Sequence, residues 1–157
     1  MFLSEKEIKK LVDKGEIQIQ PFDEAFQLFS AYVDIKISNR YYRYPKEIEL
    51  ELEMLDLKNP YINIVEQDYI SEKGVVIEPQ RFLIFESLEY LKVPDNVMVY
   101  VQPKFRLAKM GLVLTNSGFL EPGFEGNINL CIYNTNNMPV RVFPDMTLCH
   151  ILFAKVF

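Results

Sequence analysis

The stretch VMVYVQPKFRLAKMGLVLTNSGFLEPGFEGNINLCI, residues 97–132, decides the fold predicted for this chain. Its first segment, Val97–Val101, is rich in β-branched and aromatic residues and ends near Pro103, which cannot donate to a strand ladder. A charged turn leads to a second apolar run at 112–114. Residues 127–132 then alternate polar and apolar, the period of a strand with one buried face. The pattern predicts strand, charged turn, strand, hairpin, strand.

The hairpin of this pattern, residues 118–126, is called the bend below. Its sequence GFLEPGFEG holds three glycines and one proline in nine residues, so the chain must turn sharply and bring its backbone close to a neighbour. Lys104, Arg106 and Lys109 lie just upstream. Cations beside a loop with exposed amides and a carboxylate are typical of a nucleotide-phosphate site. A surface hairpin next to a solvated charged turn explains the same residues.

The bend and the residues after it carry a resemblance to the dCTP deaminase and dUTPase family. The family pattern A-G-[FW]-[IV]-D-P-G-[FW]-x-G-x-[IL]-T-L-x-[LF]-x-N is similar to residues 118–134. Residues 104–111, KFRLAKMG, stand where the family has R-S-S-L-[GA]-R-x-G. Residues 139–153 resemble P-x-x-L-x-P-G-x-R-[IF]-[GV]-Q-[IL]-x-F, and Phe2–Ile8 matches the opening I-L-S-D-x-D-I. The middle of the chain matches loosely.

The resemblance implies a mainly β fold, a distorted jelly-roll-like β-barrel of the dUTPase type, in a single domain over residues 1–157 that assembles as a homotrimer. Short strands with turn signals every 8–12 residues indicate an all-β barrel or sandwich independently. A short N-terminal helix is also predicted. Ser4 and Glu7 form a capping box, Ile8 and Leu11 follow at helical spacing, and Gly15 ends the helix.

Composition restricts the classes of function. A net charge of −5 argues against general nucleic-acid binding, and no apolar run reaches the length of a membrane span. The amino end has no pattern of a cleaved signal, so a cytoplasmic protein is expected. Cys131 and Cys149 both lie in apolar strand patterns and are predicted to be buried free thiols, because two cysteines do not make a disulfide framework.

Three segments of the middle are informative. Tyr32–Ile37 alternates like a strand and aligns with the family's S-[YV]-D-L-R-L, so Asp34 is either a buried structural carboxylate near a subunit contact or part of the site. Residues 47–53 alternate strictly, which predicts an amphipathic strand with a glutamate face. Residues 74–79 and 82–90 resemble the strand pair that precedes the family's L-P-D turn.

The family's enzymes form homotrimers whose interface sites hold a deoxynucleoside triphosphate, with Mg²⁺ on the phosphates. Glu121 stands in the place of the aspartate that positions water, one methylene longer, and is the candidate catalytic residue. Phe124 matches the ring that packs on the deoxyribose. Gly118 and Gly126 belong to the same nucleotide-binding bend.

The remaining candidates concern the phosphates and the base. Arg106 can grip a phosphate, and Lys109 keeps the charge of the family arginine without its bidentate fork. His150 replaces a glutamine near the phosphates, although a histidine in an apolar strand also fits a structural role. Cys131 stands at the deaminase glutamate, which disfavours deamination. The glycine-rich tail that closes over the nucleotide in most relatives has no counterpart before Phe157.

Two hypotheses of different classes follow. The first is a dUTP diphosphatase that converts dUTP to dUMP and pyrophosphate. The second is a non-catalytic trimer on the same scaffold, serving as a nucleotide-sensing, regulatory or structural assembly protein.

Overall fold

The computed structural model describes residues 1–45, 55–58, 65–116 and 118–157, so the alternating glutamates of 47–53 lie outside the described residues. Within these ranges the helices are α1 (Glu5–Asp13), α2 (Glu24–Gln27) and α3 (Phe105–Lys109). The strands are β1 (Gln18–Gln20), β2 (Leu28–Phe29), β3 (Tyr32–Arg43), β4 (Glu66–Tyr69), β5 (Val75–Ile77), β6 (Phe82–Lys92), β7 (Val97–Pro103), β8 (Leu112–Leu114), β9 (Phe119–Leu120), β10 (Glu125–Asn134), β11 (Val140–Val142) and β12 (Thr147–Lys155).

Most of these strands form one curled sheet, a half-barrel. Its path runs β8-β10-β6-β3-β12-β7-β9, with β1 added to β6 and both β2 and β4 added to β3. All of its pairings are antiparallel. The mainly β fold predicted from the sequence is therefore confirmed. β5 does not continue onto β6 but pairs with β11 in a separate two-stranded sheet.

The core forms where alternating strands turn their apolar faces inward. β3, β7, β10 and β12 each bury every second side chain along much of their length. Burying one such aliphatic side chain stabilises the fold by roughly 1.5–3 kcal/mol. The fully buried residues of these strands include Val33, Ile35, Ile37, Val97, Val99, Val101, Ile128, Leu130, Ile132, Ile151 and Phe153.

The predicted N-terminal helix is confirmed as α1. The carboxylate of Glu7 accepts hydrogen bonds from both the amide and the hydroxyl of Ser4, each at 2.9 Å. These bonds lower the pKa of Glu7. Ile8 is completely buried, and Gly15 ends the helix at φ +73°. The described residues contain no helix that is both long and apolar enough to cross a membrane.

The prediction of a charged turn after β7 was wrong, because residues 105–109 form the helix α3. Leu107 supplies the reason, because this apolar residue in the middle of the charged segment is buried and anchors one face of the turn in the core. Gly111, at φ +70°, then redirects the chain into β8. The cations of this segment are thus carried on a helical turn rather than on an irregular loop.

The bend is not a simple hairpin, because the strands on its two sides do not pair with each other. β9 pairs with β7, where Leu120 faces Val99, whereas β10 pairs with β6 and β8. Since β8 and β9 are the two ends of the sheet path, the chain passes from one end to the other between Leu114 and Phe119. We call this connection between β8 and β9 the seam.

The tip of the bend packs on the turn at residues 93–96. Val93 donates its amide to the Phe124 carbonyl at 3.0 Å, and Gly123 donates to the Pro94 carbonyl at 3.2 Å. Gly123 has φ +78°, and a Cβ atom there would lie 2.5 Å from the Asp95 carboxylate. The backbone angle therefore favours glycine here, and an added side chain would also have to push the exposed end of Asp95 aside.

Gly123→Ala should destabilise the protein more than Gly15→Ala. Gly15 has a similar φ of +73°, but nothing lies within 4 Å of the point where its Cβ atom would be, so its alanine variant carries only the backbone cost of about 1 kcal/mol. The additional loss at Gly123 should disappear in the Gly123→Ala/Asp95→Ala double variant. Urea unfolding measures the three free energies, and equal losses in both single variants would contradict the packing argument.

Candidate functional site

A cleft beside α3 is lined by two of the three basic residues of the segment 104–109. It has a volume of about 360 Å³ and is lined by Asp34, Lys104, Phe105, Arg106 and Thr147. We call it the basic cleft. Its residues come from β3, from the segment joining β7 to α3, and from the start of β12. The antiparallel pairing of β12 with both β3 and β7 brings these distant segments together.

Lys104 and Asp34 form an ion pair at the floor of the basic cleft. Both side chains are largely shielded, with 25% and 16% of their surface exposed. The Lys104 ammonium also lies 5.2 Å from the centre of the Tyr32 ring, a cation–π contact. Sequence reasoning included Lys104 in the basic segment but did not single it out, because its partner lies far away in the chain, on β3. Asp34 lines the cleft and is also held in an ion pair, so its position agrees with either of the two roles expected for it.

Gln27 fixes the backbone that carries Asp34. Its buried amide donates to the Asp34 carbonyl at 3.0 Å and to the Glu89 carboxylate at 2.7 Å. Glu89 also accepts from the Lys36 amide at 3.0 Å. Burial raises the pKa of Glu89. This polar network was missed from sequence, since a single glutamine on a short helix gives no signal of its own.

The two predicted phosphate-binding cations on α3 have different surroundings. Arg106 lines the basic cleft and donates a hydrogen bond to the Thr147 carbonyl. Lys109 is exposed, and its ammonium lies 5.2 Å from the centre of the Phe105 ring rather than at the lining of the cleft. Of the two, only Arg106 is in place to meet a ligand in this cleft.

His150 lies on β12 opposite Asp34 of β3. Its ring centre is 4.7 Å from that of Tyr32, the ring that Lys104 also contacts. Its Nδ1 atom is buried without a hydrogen-bond partner in the described residues. Burial, and then the charge of Lys104, lower the pKa of His150, while Asp34 acts in the opposite direction. A neutral imidazole at pH 7 follows.

The bend forms a second depression of about 470 Å³, lined by residues 119–124. Glu121 is exposed there, and its carbonyl accepts from the Phe124 amide at 3.1 Å to close the turn. Among the described residues, the linings of this depression and of the basic cleft have no member in common. One subunit therefore does not bring Glu121 and Arg106 to a shared pocket.

The other predicted residues of the bend have partly structural roles. Phe124 is half-buried and packs against the core. Gly118 accepts a hydrogen bond from the Val101 amide at 2.8 Å. Gly126, with φ +145°, is the second residue of β10 and pairs with Leu91 of β6.

The predicted burial of the two thiols holds for one of them. Both cysteines are free. Cys149 is buried, which raises the pKa of its thiol to about 12 and leaves it protonated. Cys131 is only half-buried, because it lies on the face of β10 opposite Leu130 and Ile132. The prediction of a core position for Cys131 was wrong for that reason.

Asn116 joins the seam to β10. Its carboxamide donates to the Asn129 carbonyl at 2.9 Å and accepts from the Cys131 amide at 3.0 Å. The preceding Thr115 donates its amide to the Cys131 carbonyl at 2.8 Å. Sequence reasoning did not single out Asn116, which occupies an ordinary loop position between two apolar runs.

Comparison with known proteins agrees with this architecture. A family model described as dCTP deaminase-like matches residues 2–156. The chain belongs to the dCTP deaminase-like family. A relative from Sulfurihydrogenibium sp. (strain YO3AOP1), named dCTP deaminase, dUMP-forming, is 34% identical over 157 residues, which are 99% of this chain and 84% of the relative. One of the same name from Nanoarchaeum equitans (strain Kin4-M) is 33% identical over 171 residues, covering 99% and 85%.

Solved structures support the fold of this dCTP deaminase-like protein. A 2'-deoxycytidine 5'-triphosphate deaminase from Agrobacterium tumefaciens has a TM-score of 0.73 at 18% identity; the match covers 97% of this chain and 47% of that one, so this chain spans about half its length. A dUTPase from phage phi11 of S. aureus, reported with a structural Mg(II) ion, has a TM-score of 0.55 at 11% identity, with 90% and 91% covered. The names of these relatives give no support to a non-catalytic assembly protein.

Lys104→Met should raise the pKa of His150. The substitution removes a nearby positive charge that disfavours the imidazolium, while burial continues to act. Lys109→Met is the matched control, since Lys109 has no part in the shift. The chain has a single histidine, so an NMR titration of its imidazole protons reports this pKa directly. Equal values in wild type and Lys104→Met would contradict the assigned cause.

The lowered pKa of His150 also sets a direction for stability. The unfolded chain binds a proton near pH 6.5, whereas the folded chain binds it only at lower pH. The contribution of His150 to stability is therefore lost as the pH falls through that window.

Proposed function

We propose that this protein is a dUTP diphosphatase that converts dUTP to dUMP and pyrophosphate at sites shared between subunits. The observation that carries the proposal is the combination of two depressions, one basic and one with an exposed carboxylate, on the fold of a family whose relatives are named dUMP-forming. In this assignment the triphosphate binds the basic cleft, and the base and sugar bind the bend.

The chemistry of the two depressions fits the parts of such a reaction. Arg106 can make paired hydrogen bonds to phosphate oxygens, and Lys104 adds a point charge at the cleft floor. Glu121 orients or deprotonates the attacking water. Lys109 and His150 are assigned to the surroundings of the phosphates, and Gly118, Phe124 and Gly126 to the nucleoside.

Deamination is disfavoured by the residue at position 131. Proton transfer to and from a pyrimidine ring requires a group that changes protonation near neutral pH. Here a thiol stands where the deaminases of the family have a glutamate, and its neighbours along the outer face of β10 are the neutral Asn129 and Tyr133. We therefore expect pyrophosphate from dUTP and no ammonia from dCTP.

Mg²⁺ is expected to enter with the triphosphate. Among the described residues, no group of three or more His, Cys, Asp or Glu side chains is placed to hold a metal ion. Mg²⁺ is commonly bound by one or two carboxylates together with substrate phosphates and water, and the oxygens of Asp34 and Glu121 are ligands of that kind. Bound there, the ion would neutralise charge on the phosphates.

A homotrimer would complete the site. Because the basic cleft and the bend depression are separate on one subunit, the proposal needs the cleft of one copy to face the bend of the next. An exposed phenylalanine lies in the lining of each, Phe105 with 74% and Phe119 with 48% of its surface exposed. Apolar surface of this kind is often covered by a partner.

Glu121→Gln should lower kcat for dUTP by about 10²–10⁴-fold, since the amide cannot accept a proton from water. Glu125→Gln is the matched control. Glu125 is an exposed glutamate in the same bend whose carboxylate is held by Tyr90 and Lys92. Its variant should keep kcat within about twofold. Pyrophosphate release with Mg²⁺ measures both. Activity that survives in Glu121→Gln would refute the role given to Glu121.

Light scattering in dilute solution should give the mass of three chains. The association has to persist at the enzyme concentrations used for the assay, because the proposed site needs two subunits. A monomer that still hydrolyses dUTP at full rate would refute the proposal of a site shared between subunits, but not the proposed activity.

A further inference from the structure

The strand β10 has one edge that is only partly covered by other strands. Along its first edge it pairs with β6 from Glu125 to Tyr133. Along the second edge, the pairing found among the described residues is with β8, over Ile132–Asn134. After β8 the chain moves away from this edge, because the next strand, β9, pairs with β7 instead of β10.

After the Thr115 amide, which donates to the Cys131 carbonyl, the second edge is bonded by a side chain instead of a strand. The Asn116 carboxamide donates to the Asn129 carbonyl and accepts from the Cys131 amide, at 2.9 and 3.0 Å. This is the pair of bonds that a neighbouring strand would make. The carboxamide of Asn116 is partly exposed, so each bond contributes only modestly to stability and can be exchanged for an equivalent one.

A carboxamide and a pyrimidine present the same pattern. In both, one planar carbon carries a hydrogen-bond donor next to an acceptor: the amide nitrogen and oxygen of Asn116, the amino group and N3 of cytosine, or the N3–H and O4 of uracil. Either base can donate to the Asn129 carbonyl and accept from the Cys131 amide. Asn116 thus satisfies the strand edge in the way that a pyrimidine would.

We propose that Asn116 is an internal competitor for the pyrimidine, holding the β10 edge at Asn129 and Cys131 until the base of the nucleotide takes over its two hydrogen bonds. The inference rests on the proposed function, which brings a pyrimidine nucleotide to the bend. Gly118 and Glu121 follow shortly after Asn116, so the side chain that leaves and the candidate carboxylate share one short segment. The competition sets the affinity for the base and leaves the chemical step unchanged.

The test measures KM and kcat for dUTP in wild type and in Asn116→Ala. Removing the competitor should lower KM by about three- to tenfold, the equivalent of two weak hydrogen bonds, and keep kcat within about twofold. Asn116→Ser, which is polar but too short to span both backbone groups, should give the same fall in KM. Thr115→Val is the matched control, since Thr115 also bonds β10 through its hydroxyl, to the Cys131 carbonyl at 3.2 Å. Its KM should not change.

Amide hydrogen exchange gives a readout that does not need turnover. The Cys131 amide is held by Asn116, so it should exchange faster in free Asn116→Ala than in the wild type. Adding the non-hydrolysable analogue α,β-imido-dUTP should protect it again in the variant. A variant whose Cys131 amide stays exposed with the analogue bound would overturn the inference.

The outcomes separate the two proposals. An unchanged or raised KM in both Asn116 variants overturns the competition, while turnover by the wild type keeps the proposed function. Tighter binding of the analogue by both variants without any turnover supports the competition and refutes the hydrolase. Failure of the wild type and of both Asn116 variants to bind or hydrolyse the nucleotide refutes both.

Discussion

The two strands on either side of the bend, β9 and β10, pair with different neighbours and not with each other, and the rest of the structure depends on this separation. Gly123 makes it possible, because its positive φ and missing side chain let the tip of the bend rest on Pro94 and Asp95. The chain, which has crossed from one end of the curled sheet to the other before Phe119, returns through the bend to β10 instead of closing a hairpin. A closed hairpin would have paired the second edge of β10 with β9, and backbone groups that are paired in a ladder are not available to a ligand.

If the basic cleft binds the phosphates as proposed, the ion pair there opposes their binding. Lys104 is balanced by Asp34 and stacked on Tyr32, so a phosphate that reaches it must compete with an internal carboxylate. Neighbouring Arg106 has only a backbone carbonyl as its described partner, and carbonyl oxygens hold a guanidinium less strongly than anions do. Arg106 therefore offers the stronger initial attraction, and a metal ion on the phosphates would also compensate Asp34.

The sequence predicted the strands well and their partners poorly, for a physical reason. Alternation in Tyr32–Ile37 and in residues 127–132 reports which face is buried, so the mainly β fold and its core could be read directly. Pairing across the sheet depends on long-range contacts, which is why the Lys104–Asp34 pair and the departure of β9 to β7 were not foreseen. The helix α3 was missed because so short a segment does not let a helical period show.

The course of β10 explains the positions of both Cys131 and Asn116. Cys131 lies on the strand, and Asn116 lies beside its edge. The apolar residues around Cys131 predicted burial, but the strand period puts its side chain on the outer face, beside the edge that Asn116 holds. A thiol on that face can contact a base but does not replace the carboxylate that the deaminases of the family have there. In the proposed function, the backbone at Asn129 and Cys131 would bind the pyrimidine, and the chemistry would take place at the phosphates, beside Lys104 and Arg106. This arrangement is the physical basis of the proposal that the protein hydrolyses the triphosphate instead of deaminating the base.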